Sequence, residues 1–147
     1  MDYLTGYMRD ALIALHGVHW KRADNLVRTF VDRRTREGMV QRGLIALSAK
    51  DRWQLDELGK QAAEGQWLNL GEGRYERVLP DGRPVRVSQV NGRTSWRWQA
   101  LNRQGTTVIA QVSGFLTAQS AMRAADMRFP RVVDERELEP VGGGDAA

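Results

Sequence analysis

One short segment of the sequence concentrates arginine, glutamine and glutamate side chains at spacings suited to nucleic-acid recognition. Arginine can donate two parallel hydrogen bonds to a guanine edge or to phosphate, and glutamine can form a similar pair of bonds with adenine. Glutamate is disfavoured beside phosphate but can accept from the N4 amino group of cytosine. The residues that carry this chemistry are Arg33, Arg34, Arg36, Glu37 and Gln41.

A helix must present these side chains together, and the flanking residues predict one. Asp32 is a good N-cap residue and Gly43 a good stop signal. In such a helix Arg33, Arg36, Glu37 and Gln41 lie near one face. Arg34 is more lateral and suits a phosphate contact. A major groove about 12 Å wide admits one such helix. The ordinary alternative is a solvated helix face with unremarkable charges.

Hydrophobic periodicity predicts the elements that would hold this helix. Apolar residues recur at helical spacing in two preceding segments and alternate in two short segments that follow. The predicted order is helices at 3–15, 20–30 and 32–42, strands at 44–47 and 52–55, and a helix at 56–63. Lys50 and Arg52 fall in the predicted hairpin, from which they could reach a neighbouring phosphate or the minor groove.

Three fragments in this half occur in a characteristic order and spacing: Arg34–Arg36, Met39–Ile45 and Trp53–Gly59. Together they make residues 1–64 resemble the winged helix-turn-helix family of bacterial and phage DNA-binding domains. Asp56 stands where that family often has threonine, and both residues can cap a helix. The resemblance implies sequence-specific duplex DNA binding in transcriptional regulation, with helix 32–42 in the major groove and the hairpin, or wing, on phosphate.

The same resemblance implies a homodimer, because winged-helix regulators commonly bind palindromic sites as two-fold dimers. The predicted first helix has a broad apolar face that could support such pairing, formed by Tyr3, Leu4, Tyr7 and Met8. The C-terminal half could instead recruit a protein partner.

After residue 64 the pattern changes from helical periodicity to strand alternation. We predict a linker over 65–73 and then, over 74–133, a four-stranded antiparallel sheet with one helix. The predicted elements are strands at 74–79, 84–90, 95–101 and 106–112, and a helix at 118–127 capped by Thr117. Residues 134–147 are predicted to be an acidic, disordered tail. The fold class predicted for the whole chain is α+β.

Part of this second half also shows a family-like pattern, carried by Trp96–Asn102, Val108–Phe115 and Ala121. It resembles the YegP-like domain of unknown function, which pairs a Trp-bearing strand, an Asn-Gly-type turn, a strand ending in Ser-x-Gly-aromatic and a helix. The turn here, Asn102–Gly105, is longer than usual. The resemblance implies a fold but brings no established chemistry.

The predicted sheet offers a second basic face, formed by Arg86, Arg97 and Arg103. Trp96 and Trp98 share strand parity and therefore point to the same side. They could stack on exposed bases, but packing under the predicted helix is favoured. An edge strand that binds protein is an equal competitor to the basic face.

Composition and motif content exclude several other classes. The 147 residues contain no cysteine, which rules out disulfides and thiolate chemistry and fits a cytoplasmic protein. No run approaches the length of a membrane span. His16 and His19 are the only histidines, and they are predicted to be polar groups at a helix end and turn. We therefore predict no enzyme activity, no metal and no cofactor.

Charge and size leave rival functions open. The net charge is +4, and 22 basic residues stand against 18 acidic ones. An arginine-rich composition suits phosphate binding but also results from a GC-rich genome. The main alternative is a phage-type, anti-defence inhibitor or adaptor that binds a nucleic-acid-processing complex through protein contacts. A weaker alternative is an accessory factor whose Trp-bearing sheet binds single strands.

Overall fold

The computed structural model describes residues 2–90 and 94–131, and within them it confirms an α+β protein. Its N-terminal half contains three helices, a hairpin and a further helix. These are α1 Gly6–Leu15, α2 Trp20–Phe30, α3 Arg33–Gln41, β1 Ile45–Leu47, β2 Trp53–Leu55 and α4 Glu57–Ala63. Asp32 caps α3 by accepting a hydrogen bond from the Thr35 amide, and Asp56 caps α4, as their residue types predict.

The C-terminal half is a five-stranded antiparallel meander followed by one helix. Its elements are β3 Leu68–Gly71, β4 Arg74–Val78, β5 Pro84–Gln89, β6 Trp96–Leu101, β7 Val108–Phe115 and α5 Ala118–Arg128. The strands lie side by side in chain order, from β3 at one edge to β7 at the other. Thr117 caps α5 by accepting from the Ser120 amide, as predicted.

The prediction of four strands is wrong, because the segment predicted as a linker contains β3. Its residues Leu68 and Leu70 are buried, and Leu68 pairs with Glu76 across the sheet. The turn that follows takes three consecutive positive φ angles, at Gly71, Glu72 and Gly73. Glycine adopts such angles at little cost. Gly71 and Gly73, at the end of the predicted linker, therefore form a tight turn between paired strands.

Helix α5 packs on one face of the sheet. Its residues Ala121 and Ala125 are fully buried against the strands, in a cluster that includes Trp98 and Val87. Trp98 is only 4% exposed and meets the ring of Phe129 edge to face. The interpretation of Trp98 as a core residue is thus confirmed.

The N-terminal half packs on the opposite face of the sheet. Leu68, Leu70 and Val78 belong to the same hydrophobic cluster as Leu12 of α1. The two halves of the described chain therefore share a core. Leu4 and Met8, predicted as part of a dimerisation face on the first helix, are 2% and 6% exposed. These two residues are therefore unavailable to a second copy, because the sheet and α3 already cover them, whereas Tyr7 of the same predicted face is 74% exposed.

A buried charged cluster fastens α1 to the sheet. Arg9 is fully buried and donates hydrogen bonds to the carbonyl oxygens of Leu4, Gly82 and Arg103. Glu76, also fully buried, accepts from the Leu4 amide at 2.9 Å and lies 3.8 Å from an Arg9 nitrogen. Burial raises the pKa of Glu76 and lowers the pKa of Arg9, since both charges are removed from water.

Two further predictions concern the C-terminal tail and membrane-spanning segments. The predicted acidic tail at 134–147 lies outside the described residues. Among the helices of residues 2–90 and 94–131, none is long and apolar enough to cross a membrane.

Candidate nucleic-acid interface

Helix α3 stands at the surface of the N-terminal half, with one side docked on the protein. Met39 is completely buried, and Gly38 lies directly against the side chain of Met8. The N-terminal turn of α3 carries Arg33 and Arg34, both exposed. The short helix therefore has a buried apolar side, and opposite it the charged side that the sequence predicted.

The guanidinium of Arg33 has one partner in its own helix. Arg33 Nε lies 3.0 Å from a carboxylate oxygen of Glu37, and the two side chains are 85% and 61% exposed. Exposed pairs four residues apart on a helix bind weakly, because water screens them and both side chains lose freedom. This pair can therefore open to let Arg33 contact another anion.

Helix α3 also borders a groove that separates it from α1. Arg34, Glu37 and Gln41 line this groove opposite Tyr7 of α1. Arg34 and Gln41 are exposed, so their polar groups remain accessible to a ligand. The hydrogen bond from the Thr35 amide lowers the pKa of the capping Asp32, which keeps this carboxylate ionised at the start of α3.

Arg36 does not lie free on the face predicted for it together with Arg33. It is half-buried, and its guanidinium carbon lies 5.7 Å from the ring centre of Trp53 on β2. Cation–π contact of this kind holds an arginine in place without neutralising it. Arg36 therefore connects α3 to the hairpin while keeping its positive charge.

The hairpin ends in a tight turn beside α2. The Ser48 side chain accepts from the Lys50 and Arg52 amides, and Asp51 adopts a φ of 61°. Lys50 is exposed at this turn. Arg52 stacks on Trp20, with its guanidinium carbon 3.6 Å from the ring centre. Arg52 is thus a pre-positioned cation next to the α2 N-terminus rather than a freely extended one.

Contacts to α2 fix the hairpin, and sequence reasoning did not identify them. Asp24 accepts from the Trp53 amide at 2.8 Å and from Arg28 Nε at 3.0 Å. Arg28 in turn donates to the Asp51 carbonyl at 2.8 Å. The Asp24–Arg28 spacing of four residues was visible in the sequence. Nothing in the local sequence indicated that these two side chains contact the hairpin, because their partners lie 29 and 23 residues away.

Asp24 should therefore make the stability of the hairpin depend on pH. The hydrogen bond from the Trp53 amide lowers the pKa of Asp24, so its stabilising effect is present above the ordinary aspartate pKa and lost in acid. We expect Asp24→Ala to lower the melting temperature at neutral pH by a few degrees. The difference from the wild type should shrink as the pH falls below about 4.

Thermal melts followed by circular dichroism across this pH range measure the effect. Glu57→Ala, which removes an exposed carboxylate from α4, is the matched control. A constant difference between Asp24→Ala and the wild type at every pH would contradict this role.

The three arginines of the predicted second basic face do not form a free cluster. Arg86 is partly buried, donates to the buried Glu76 carboxylate at 3.0 Å and covers the ring of Tyr3. Arg103 pairs with Asp10 of α1 at 3.0 Å. Arg97 is partly buried, and its Nε has no hydrogen-bond partner. Arg86 and Arg103 thus hold the two halves together.

The histidines lie at helix ends, as predicted. His16 follows the last residue of α1, and His19 caps α2 by accepting from the Lys21 amide at 3.3 Å. In the part of the chain that the structure describes, no three His, Cys, Asp or Glu residues are grouped to hold a metal ion.

No protein-family model matches the chain, and neither a curated protein nor a solved structure matches it. Its function must therefore be inferred from its own geometry. The residues predicted for DNA contact do gather around α3 and the hairpin. They combine accessible cations with two aromatic supports, Trp20 and Trp53.

Proposed function

We propose that the chain binds duplex DNA through α3 and the β1–β2 hairpin, in the manner of a winged helix. The carrying observation is the exposed pair Arg33 and Arg34 at the start of a surface helix whose opposite side is docked on the protein core. A helix presented in this way fits a major groove, and the adjacent hairpin would lie over the flanking phosphates.

Each side chain has a distinct part in this proposal. Arg33, Glu37 and Gln41 would face base edges, and Arg34 would contact a backbone phosphate. Arg36, held beside Trp53, would contribute positive charge close to the hairpin. Lys50 and Arg52 would bind phosphate beyond the recognition helix, and transcriptional regulation is the most direct use of such a module.

The double variant Arg33→Ala/Arg34→Ala tests the proposal. Loss of two positive charges that face the duplex is expected to weaken binding about ten- to hundred-fold. Fluorescence anisotropy with a labelled random-sequence duplex measures this, and a labelled single strand should bind more weakly than the duplex.

The matched control is Arg123→Ala, which removes an exposed arginine from α5 on the other face of the sheet. It should leave the affinity for duplex nearly unchanged. Equal weakening in the control and the double variant, or a preference for the single strand, would contradict the assignment to α3.

The second candidate is a protein-binding adaptor or inhibitor of a nucleic-acid-processing complex. It is favoured by two exposed aromatic side chains, Tyr7 and Phe30, which are 74% and 77% exposed and flank a groove between α1 and α2. Exposed aromatics of this kind are enriched at protein interfaces. This candidate gains support if no duplex binding is detected at low salt.

A further inference from the structure

Among residues 2–90 and 94–131, the sheet has one long open edge, formed by β7. This strand pairs with β6 on one side, and the strand order places it last in the sheet. With eight residues it is the longest strand in the described part of the chain. Its side chains Val108, Ile109 and Val112 are 43%, 52% and 45% exposed. The outward backbone groups of such a strand are available for pairing with another strand.

This edge lacks most of the features that usually prevent strand addition. Its register irregularities with β6 lie near its two ends, so that the central segment Ala110–Ser113 pairs regularly. Natural edges are short, charged, interrupted by proline or covered by another element. The sequence of β7, VIAQVSGF, contains neither a charged residue nor a proline. Helix α5 does not cover it, since Val112 remains accessible although its cross-strand partner Trp98 is buried. By contrast, β3 at the opposite edge has only four residues.

The composition of β7 suits pairing with itself. A two-fold axis perpendicular to the sheet brings two copies of β7 together as antiparallel strands, with both α5 helices on the same side. The residue at the axis then lies opposite the same residue of the second copy, so a charge at that position would face an equal charge and repel it. The central residues Ala110, Gln111 and Val112 are all uncharged.

Apolar side chains on the α5 side strengthen this match. Ala110 and Val112 pair with the core residues Ala100 and Trp98, so they project toward the side occupied by α5. Leu116, just beyond the end of β7, is 85% exposed. Joining two sheets would remove this apolar surface from water in addition to satisfying backbone groups.

We infer that β7 is a homodimerisation edge, which pairs with β7 of a second copy and joins the two five-stranded sheets into one of ten strands. The dimer does not depend on α3 or the hairpin, so it stands whether or not the chain binds DNA. It also differs from the dimer expected through the first helix, where Leu4 and Met8 are buried within the chain.

Charge substitution at Val112 tests this inference. The wild type should elute at twice the monomer mass of 16.6 kDa in light scattering coupled to gel filtration, at micromolar concentrations. Val112→Lys and Val112→Glu should each be monomeric, because they place like charges on or beside the two-fold axis. A mixture of the two variants should recover a dimer.

The matched control is Leu47→Lys, a change at a similarly exposed apolar residue on β1, and it should remain dimeric. Circular dichroism melts verify that each variant is folded. A monomeric wild type, a dimeric Val112→Lys, or monomers for both Val112→Lys and Leu47→Lys would overturn the inference. Failure of the Val112 variants to form a mixed dimer would also count against it.

Discussion

Replacing Arg9 with methionine is expected to lower the free energy of unfolding by about 3–5 kcal/mol, because it leaves a buried carboxylate with one fewer cation. Methionine has a similar reach but no charge, so the change removes electrostatics and hydrogen bonds rather than bulk. Such a loss is a large share of the stability of an ordinary small domain.

The size of this effect follows from the number of groups that Arg9 satisfies. Its guanidinium donates to carbonyl oxygens of Leu4 before α1, of the β4–β5 turn and of the β6–β7 turn, at 2.6 to 3.0 Å. It also approaches the Glu76 carboxylate, which is wholly buried. In the Arg9→Met variant, buried acceptors from three parts of the chain lose their donor, and each unpaired group adds a desolvation cost.

A double-mutant cycle separates the charge pairing from the other contacts. Urea unfolding of Arg9→Met, Glu76→Gln and the double variant should reveal coupling, since removing both charges costs less than the sum of the single changes. Arg22→Met, at an exposed position on α2, is the matched control and should be nearly neutral. Additive effects in the cycle would show that Arg9 and Glu76 do not interact as a pair.

Gly59→Ala is expected to destabilise the chain by about 3 kcal/mol through overpacking, despite a helix propensity that favours alanine by about 1 kcal/mol. Gly59 lies within α4, where the backbone of the helix approaches that of Leu44. A Cβ atom added at Gly59 would overlap the Leu44 carbonyl oxygen. That oxygen already accepts from the Asp56 amide, so neither group can move away without breaking this bond.

Urea unfolding also measures this change, with Lys60→Ala as the control at the next, exposed position of α4. The control should alter stability by a few tenths of a kcal/mol at most, because alanine and lysine have similar helix propensities. If Gly59→Ala were as stable as the wild type, the close approach of α4 to Leu44 would be incorrect.

The fold could be predicted from local signals wherever those signals were strong. Capping residues such as Asp32 and Thr117 set helix starts correctly, and alternation located most strands. Strand β3 was missed because it is only four residues long and ends at Gly71. The signal for it, burial of Leu68 and Leu70 in the core shared with the N-terminal half, depends on tertiary packing that the sequence does not display.

In the candidate site, too, local features could be predicted and long-range contacts could not. The exposure of Arg33 and Arg34 followed from helical spacing alone. The partners of other arginines could not be predicted in this way. Arg52 contacts Trp20, which is distant in the chain, and Arg86 contacts Glu76 on a neighbouring strand. An arginine count therefore overstated the basic surface of the sheet, where Arg86 serves the core.

The most direct measurement of the central claim is the dependence of duplex affinity on salt. Each phosphate contact contributes about 0.9 to the slope of the logarithm of affinity against that of salt concentration. The account predicts a clearly negative slope for the wild type. Arg33→Ala/Arg34→Ala should show a slope smaller by about one to two contacts, and Arg123→Ala an unchanged slope. A wild-type affinity that is insensitive to salt, or equal slopes for the wild type and the double variant, would contradict it.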